Sequence, residues 1–306
     1  MHRIAVLCGG VGAARFLAGL VDVVDPAGVT AIVNVADDDE FYGLHVSPDI
    51  DTVLYTLAGV VDETQGWGRR DETFHAQDEL ARLGEDAWFR LGDRDLATHI
   101  QRTRSLRGGA SMTDVVAGLR TAFGIGAAVL PATDGRQRTM VRTAGGWIAF
   151  QEYFVKRRTA DRVLELRFEP DAAPTAQVRS ALAAADTIVI APSNPFVSIG
   201  PILALAGMRD AIRASRAKVV AVSPIVGGAA IKGPAAAMLD AFGHEVSALG
   251  VARIYAELAS TFVLDDQDRA LAPAIEALGL RAVTTATLMR DAASRASLAR
   301  AVIAAR

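Results

Sequence analysis

Ile4-Ala5-Val6-Leu7-Cys8-Gly9-Gly10-Val11-Gly12-Ala13-Ala14-Arg15 stands near the start of the chain, and Val29-Thr30-Ala31-Ile32-Val33-Asn34 follows one helix length later. The first apolar run is short and unbroken, the pattern of a strand buried on both faces. Glycines end it, a helical pattern covers 13–24, residues 26–28 turn the chain, and the second apolar run begins. A strand–helix–strand opening of this size favours a parallel pair. The second half alternates in the same way: helix over 176–185, strand over 187–191, helix over 202–214, strand over 219–222, helix over 235–242. Shorter strands at 261–264 and 282–284 precede an alanine-rich helix over 287–305.

The middle of the chain differs. Val53, Leu54, Leu57 and Val60 recur at helical spacing, and 51–123 shows no clear strand. Strands are expected at 127–130 and 163–168, and a hairpin of 138–142 with 147–153 around Ala144-Gly145-Gly146. The expected architecture is therefore α/β: a Rossmann-like, mainly parallel sheet with helices on both faces, one domain over 1–306, and a mostly helical insertion at about 51–123.

Composition narrows the function classes. The 306 residues are 51% hydrophobic, enough for a sizeable core. Lys plus Arg number 32 against 35 Asp plus Glu, a balance of −3, which argues against a general nucleic-acid or membrane surface. No apolar run approaches the roughly 18 residues of a membrane span. Cys8 is the single cysteine, so no internal disulfide forms, and a reducing cytoplasm is the expected location.

The second strand runs into an acidic stretch, Asn34-Val-Ala-Asp-Asp-Asp-Glu, followed by Ser47-Pro48-Asp49-Ile50-Asp51-Thr52. Carboxyl ends of strands in an open α/β sheet face the ligand crevice. Asp37, Asp38, Asp39, Asp49 and Asp51 would repel one another there, and a hard cation such as Mg2+ would relieve the repulsion while carrying phosphate on its other face. The simpler alternative is a solvated acidic loop with Asp49 capping a helix. Histidines at 2, 45, 75, 99 and 244 form no metal spacing.

Three loops suit an anion. The Gly9–Gly12 loop offers backbone amides at a helix start, with Gly10, Gly12 and then Arg15 able to face a phosphate. It lacks the Gly-Lys-Ser/Thr ending of a P-loop. Ala191 to Pro201 is a stiff, proline-rich loop with Ser193 and Asn194. Ser223 to Pro234 carries Gly227, Gly228 and Lys232. A further segment, Phe89-Arg90-Leu91-Gly92-Asp93-Arg94-Asp95, is dense in charge; Asp93 reads as a helix cap, and Arg90 and Arg94 as partners for carboxylates or phosphate.

These motifs, in this order, resemble the CofD family, the 2-phospho-L-lactate transferases of deazaflavin coenzyme F-420 biosynthesis, and in particular its actinobacterial FbiA branch. The resemblance runs nearly end to end: Gly9 to Arg15, Val33-Asn34 with Asp37-Asp38, Ser47 to Thr52, Gly66-Trp67-Gly68, Leu91 to Asp95, Ala191 to Pro195, Ser198 to Pro201, and Ser223-Pro224-Ile225. Ala13 and Ala36 stand where that branch usually has glycine, and Ser47 where it often has cysteine. The resemblance implies a reaction in which a lactyl or enolpyruvyl diphosphoguanosine donates its phospho-acid to the ribityl hydroxyl of the deazaflavin Fo, and GMP leaves. The branch implies the enolpyruvyl group, hence a phosphoenolpyruvate transferase, with 2-phospho-L-lactate the alternative. By the same resemblance Asp51 and Arg90 contact Fo, Asp51 orients or deprotonates the attacking hydroxyl, and the loops at Ser193 and Ser223 hold the guanosine diphosphate half. Asp37 and Asp49 are the expected Mg2+ ligands. The partners expected are small molecules, with no nucleic acid or membrane, in a homodimer.

An NAD(P)-dependent oxidoreductase is the main competing class. It would place one acidic residue at the end of the second strand to hold a ribose, where this chain has Asn34. A non-catalytic nucleotide-binding regulator would bind GDP without turnover. Asp51→Asn is expected from the sequence to stop turnover and leave the fold intact.

Overall fold

The computed structural model describes residues 2–231 and 233–306. Its fourteen strands, in chain order, are β1 (Ile4–Cys8), β2 (Val29–Val33), β3 (Asp39–Phe41), β4 (Leu44–Val46), β5 (Ala128–Pro131), β6 (Arg138–Thr143), β7 (Gly146–Ala149), β8 (Glu165–Glu169), β9 (Thr187–Ile190), β10 (Lys218–Val222), β11 (Ile225–Val226), β12 (Ala229–Ala230), β13 (Thr261–Asp265) and β14 (Arg281–Thr285). Seven of them form one parallel sheet in the order β14-β13-β10-β9-β1-β2-β5.

Helices cover both faces, and the strand residues alternate between two cores. Ile4, Val6 and Cys8 of β1 belong to one core, Ala5 and Leu7 to the other. The first core takes in α1 (Gly10–Val21), α2 (Pro48–Leu57), α5 (Met112–Ala122) and α12 (Ala292–Ala304). The second takes in α6 (Ala176–Ala184), α7 (Ile199–Ala204), α8 (Met208–Ala214) and α10 (Ala248–Tyr255). This is the α/β, Rossmann-like arrangement. Gly19 of α1 lies so close to Arg295 of α12 that a Cβ would stand 2.4 Å from its backbone, which is why the two helices meet through a glycine.

Chain order reverses beside β1: β2 and β5 lie on one side of it, β9 and the later strands on the other. The loops leaving β1 and β9 therefore diverge there, the place where open sheets form a ligand crevice. A Cβ on Gly12 would sit 2.4 Å from the Pro192 carbonyl oxygen, so the two loops touch at that glycine.

Several local expectations change. α1 begins at Gly10, because Gly10 (φ 72°) lets the chain turn straight from strand to helix. The helix expected over 202–214 is two, broken at Gly207, which adopts a left-handed φ of 79°. The last helix starts at Ala292 and not near 287, because the Asp291 carboxylate accepts the Ser294 amide and caps it. β7 stops at Ala149, and Glu152–Lys156 coils into a π-helical turn. The acidic stretch holds a hairpin, β3 and β4, joined through Tyr42 and Gly43, both at positive φ. Between β4 and β5 run α2, α3 (His75–Arg82), α4 (Asp93–Arg107) and α5. No helix among the described residues is long and apolar enough to cross a membrane.

Candidate active site

Asp49 sits in the first turn of α2 and reaches back to β1. Its carboxylate accepts the Gly10 amide at 2.8 Å and the Asn34 side-chain amide at 2.9 Å. Asn34 also donates to the Val197 carbonyl, and Ser193 donates to the Gly9 carbonyl at 2.9 Å. Gly9, Gly10, Asn34, Asp49, Ser193 and Val197 thus form one hydrogen-bonded floor at the diverging loops. The Gly10 amide, expected to face a phosphate, is directed at the protein's own Asp49.

The neighbouring carboxylates divide. Asp39 pairs with Arg138. Asp38 accepts from Ser47 at 2.6 Å and from His45 at 3.1 Å, yet its Oδ1 is buried without a hydrogen bond. Asp37 is buried with its own Oδ1 unpartnered. Burial, and then the charge of Asp49, push Asp37 well above the usual carboxylate range. Burial also raises Asp38, against the opposing His45 contact, and lifts Asp49 to about 6. Asp37 and Asp49, both buried, and the largely buried Asp38 are oxygen donors with two orphaned oxygens and raised affinities for protons, but their ligand atoms are not gathered within 4.8 Å of one another as those of Asp51, Asp95 and His99 are. Carboxylate oxygens of this kind suit a hard divalent cation by their chemistry, although these three are not drawn into one ligand cluster.

Asp51 faces the other way. Both its oxygens are gripped by the guanidinium of Arg102 on α4, which is fully buried; the Nη1 contact is 3.0 Å. His99 lies between Asp51 (Nδ1, 3.7 Å) and Asp95 (Nε2, 3.2 Å), and the Tyr55 hydroxyl donates to Asp95. One ligand atom each from Asp51, Asp95 and His99 fall within 4.8 Å of one another, a possible metal-binding triad. Arg102 already offsets the charge of Asp51, so a cation there would have to displace a buried guanidinium. Burial raises Asp95, but the His99 and Tyr55 hydrogen bonds outweigh it and hold the group below its ordinary value. Histidine spacing alone does not reveal this triad; Asp95 and His99, four residues apart on one helix face, are the signal the sequence carries for it.

Arg90 lies apart from the glycine loop. It lines a cavity of about 230 Å³ with Trp67, Phe74, Glu72 and Asp95, its guanidinium stacked 3.9 Å from the centre of the Phe74 ring. Asp93 does not cap its own helix. Gly92 holds the N-cap position of α4, and Glu72 accepts the Arg94 and Asp95 amides, both at 2.9 Å. Asp93 instead accepts the His75 and Ala76 amides and so caps α3. A side chain at Gly92 would collide with the Glu72 carboxyl group, since a Cβ there would stand 2.2 Å from the carboxyl carbon.

The remaining loop residues mostly satisfy one another. Asn194 accepts the Phe196 amide, and Ser223 donates to the Ile225 carbonyl at 2.8 Å. The Gly227 amide is held by Asp268 at 3.0 Å. Arg15 is partly exposed and donates to the Glu63 carbonyl at 3.3 Å. Lys232 lies outside the described residues.

The profile of the family described as 2-phospho-L-lactate transferase CofD matches residues 4–290. The chain belongs to the CofD family. A phosphoenolpyruvate transferase of Streptomyces griseus is 44% identical over 97% of this chain and 96% of its own length. A 2-phospho-L-lactate transferase of Methanosarcina acetivorans is 40% identical over 97% of each. CofD relatives so named are transferases, and this chain is a transferase with them. Protein BH3568 of Bacillus halodurans shares the fold, with a TM-score of 0.64 over 99% of each chain at 19% identity. For this CofD chain, Asp49 is held at the diverging loops by Gly10 and Asn34, while Asp51 is paired with Arg102 of α4 and Arg90 shares a cavity lining with Asp95.

Proposed function

We propose that this CofD protein moves a phospho-three-carbon acid from its diphosphoguanosine donor to the ribityl hydroxyl of Fo, releasing GMP, as a step of coenzyme F-420 biosynthesis. The observation that carries the proposal is the match to transferases of both acids over nearly the whole chain. The acid proposed is phosphoenolpyruvate, supported by the higher identity to the Streptomyces enzyme; 2-phospho-L-lactate is the alternative. Attack of an alcohol on a diphosphate needs charge offset and a positioned nucleophile.

In this scheme Asp37 and Asp49 hold Mg2+, with Asp38 beside them; the ion's part is to offset charge on the diphosphate. Gly10, Gly12 and Arg15 border the donor, Ser193, Asn194, Ser223, Gly227 and Lys232 shape the guanosine side, and Arg90 contacts Fo. Asp51 is proposed to orient the hydroxyl, acting from behind Asp95 through His99. Mass spectrometry of the product formed from Fo, GTP and each acid, with the partner guanylyltransferase present, tests the assignment. The enolpyruvyl product is lighter than the lactyl one by two hydrogens, and product from neither acid overturns the proposal.

Arg15 gives a separate check. Its side chain makes one exposed hydrogen bond, so Arg15→Ala should change stability by under about 0.5 kcal/mol. Donor use should weaken, read as a raised KM for the donor with an unchanged melting temperature. A variant that melts early would make Arg15 structural.

A further inference from the structure

The Ser223–Pro234 loop leaves the carboxyl end of β10, the edge of the sheet where ligands gather. Its first part is the β11–β12 hairpin, two residues on each side: Ile225 faces Ala230 and Val226 faces Ala229. Gly227 and Gly228 close it at φ 58° and 76°, the positive values that a two-residue type I′ turn demands. A hairpin this short does not hold its own place in water. Its position is set from outside.

The fixing group is Asp268. It lies in the 3-10 turn Asp266–Leu271 that follows β13, and it is 7% exposed. Both its carboxylate oxygens accept the Gly227 amide, at 3.1 and 3.0 Å. Among the described residues no cation pairs with it. A buried carboxylate is costly unless it is hydrogen-bonded, and the hydrogen bonding of this one goes to the hairpin tip. The turn that carries it is itself anchored. One oxygen of Asp265 accepts the Gln267 amide at 3.1 Å, and the other accepts the Thr287 amide and hydroxyl at 2.7 and 2.9 Å.

Beyond the hairpin the chain runs to α9 (Ala235–Ala241), whose Met238 sulfur accepts the Asn194 side-chain amide at 3.5 Å. Phe196, from the loop after β9, packs on Phe242 at the end of that helix, with ring centres 5.0 Å apart. The two loops assigned to the guanosine side therefore meet through α9, and the hairpin ties the second of them to the sheet.

We propose that Asp268 is a positioning residue for the guanosine diphosphate half of the donor: it fixes the Gly227–Gly228 turn, and through it the Ser223–Pro234 loop. The proposal rests on the assignment of that loop to the donor put forward above, and adds to it a residue forty-one positions along the chain from Gly227. Asp268 itself touches no substrate in this scheme. A loop ordered before binding escapes the entropy cost of being ordered by its ligand.

The test compares the wild type with Asp268→Ala and Asp268→Asn. Hydrogen exchange followed by mass spectrometry reads the hairpin, calorimetry reads GDP binding, Fo fluorescence reads acceptor binding, and steady-state rates give KM and kcat for the donor. Asp268→Ala should exchange faster over 223–231, with β1, β9 and β13 as protected as in the wild type. Its GDP affinity should fall roughly tenfold or more, the usual result of losing a hydrogen bond to a charged group, with Fo affinity unchanged. KM for the donor should rise with kcat unchanged, the pattern of lost ground-state binding. Asp268→Asn keeps an oxygen that accepts the amide and should retain most of the GDP affinity. Faster exchange with unchanged GDP affinity overturns the proposal. Joint loss of GDP and Fo binding makes Asp268 structural and also overturns it. Unaltered exchange in Asp268→Ala overturns it while leaving the donor loop standing. Fo binding without GDP binding to the wild type overturns the loop assignment and the positioning role together.

Discussion

Asp51→Asn is expected to destabilise the protein by about 3–5 kcal/mol, because it leaves the guanidinium of Arg102 buried without its counter-charge. The sequence alone leads to the opposite expectation, that removing one charge from a repelling cluster spares the fold. Asp51 is not in that cluster; α2 turns it away from Asp49 and onto α4. A double variant, Asp51→Asn with Arg102→Gln, removes both charges and should recover much of the loss. Denaturant unfolding of the two single variants and the double one measures this directly. An unchanged midpoint for Asp51→Asn would show that the pair contributes nothing. Turnover should fall at least a hundredfold in both, measured below the melting range, since a nucleophile-orienting contact is commonly worth that much.

Removing divalent cations should have the second large effect. EDTA is expected to stop turnover and to reverse the pH dependence of stability. The sign follows from Asp49, whose value in the folded chain is about 6 against an ordinary 3.8. A group that binds its proton more tightly when folded stabilises the fold below about 4, and that stabilisation is lost as pH rises through about 6. Burial shifts Asp37 and Asp38 in the same direction. In EDTA the melting temperature should therefore fall across this range. In Mg2+ it should hold or rise, because deprotonation is then rewarded by the cation. Melts from about pH 4.5 to about 8, with Mg2+ or EDTA, on wild type and Asp49→Asn check it. Superimposable profiles in the two media, or full activity in EDTA, would remove the metal from the mechanism.

The sheet was legible because its strands are buried on both faces and read as plain apolar runs such as Ile4–Cys8 and Thr187–Ile190. The β3–β4 hairpin was not, since its strands carry Asp39, Glu40 and His45 and its turn uses a tyrosine at positive φ. At the site, the carboxylates announced themselves by density. The partners of Asp49 and Asp51 did not, because Gly10 and Arg102 lie far along the chain, as does Asp268 from the Gly227 amide it accepts. Arg102 sits in the very polar run Asp93–Arg107, where nothing local separates a buried arginine from its solvated neighbours Arg104 and Arg107. The loops at Ser193 and Ser223 do follow strand ends, as their sequences suggest, but their hydroxyls hold backbone carbonyls of the protein itself.

The Asp51–Arg102 pair also restricts the order in which this sequence can drift. Loss of the aspartate first strands a buried cation; loss of the arginine first leaves Asp51 facing Asp95 across His99 with no guanidinium to offset either. Both single steps are downhill in stability, and only the joint change returns to balance. Positions 51 and 102 are therefore expected to be inherited as one unit, exchanged together or not at all, although fifty-one residues of chain separate them.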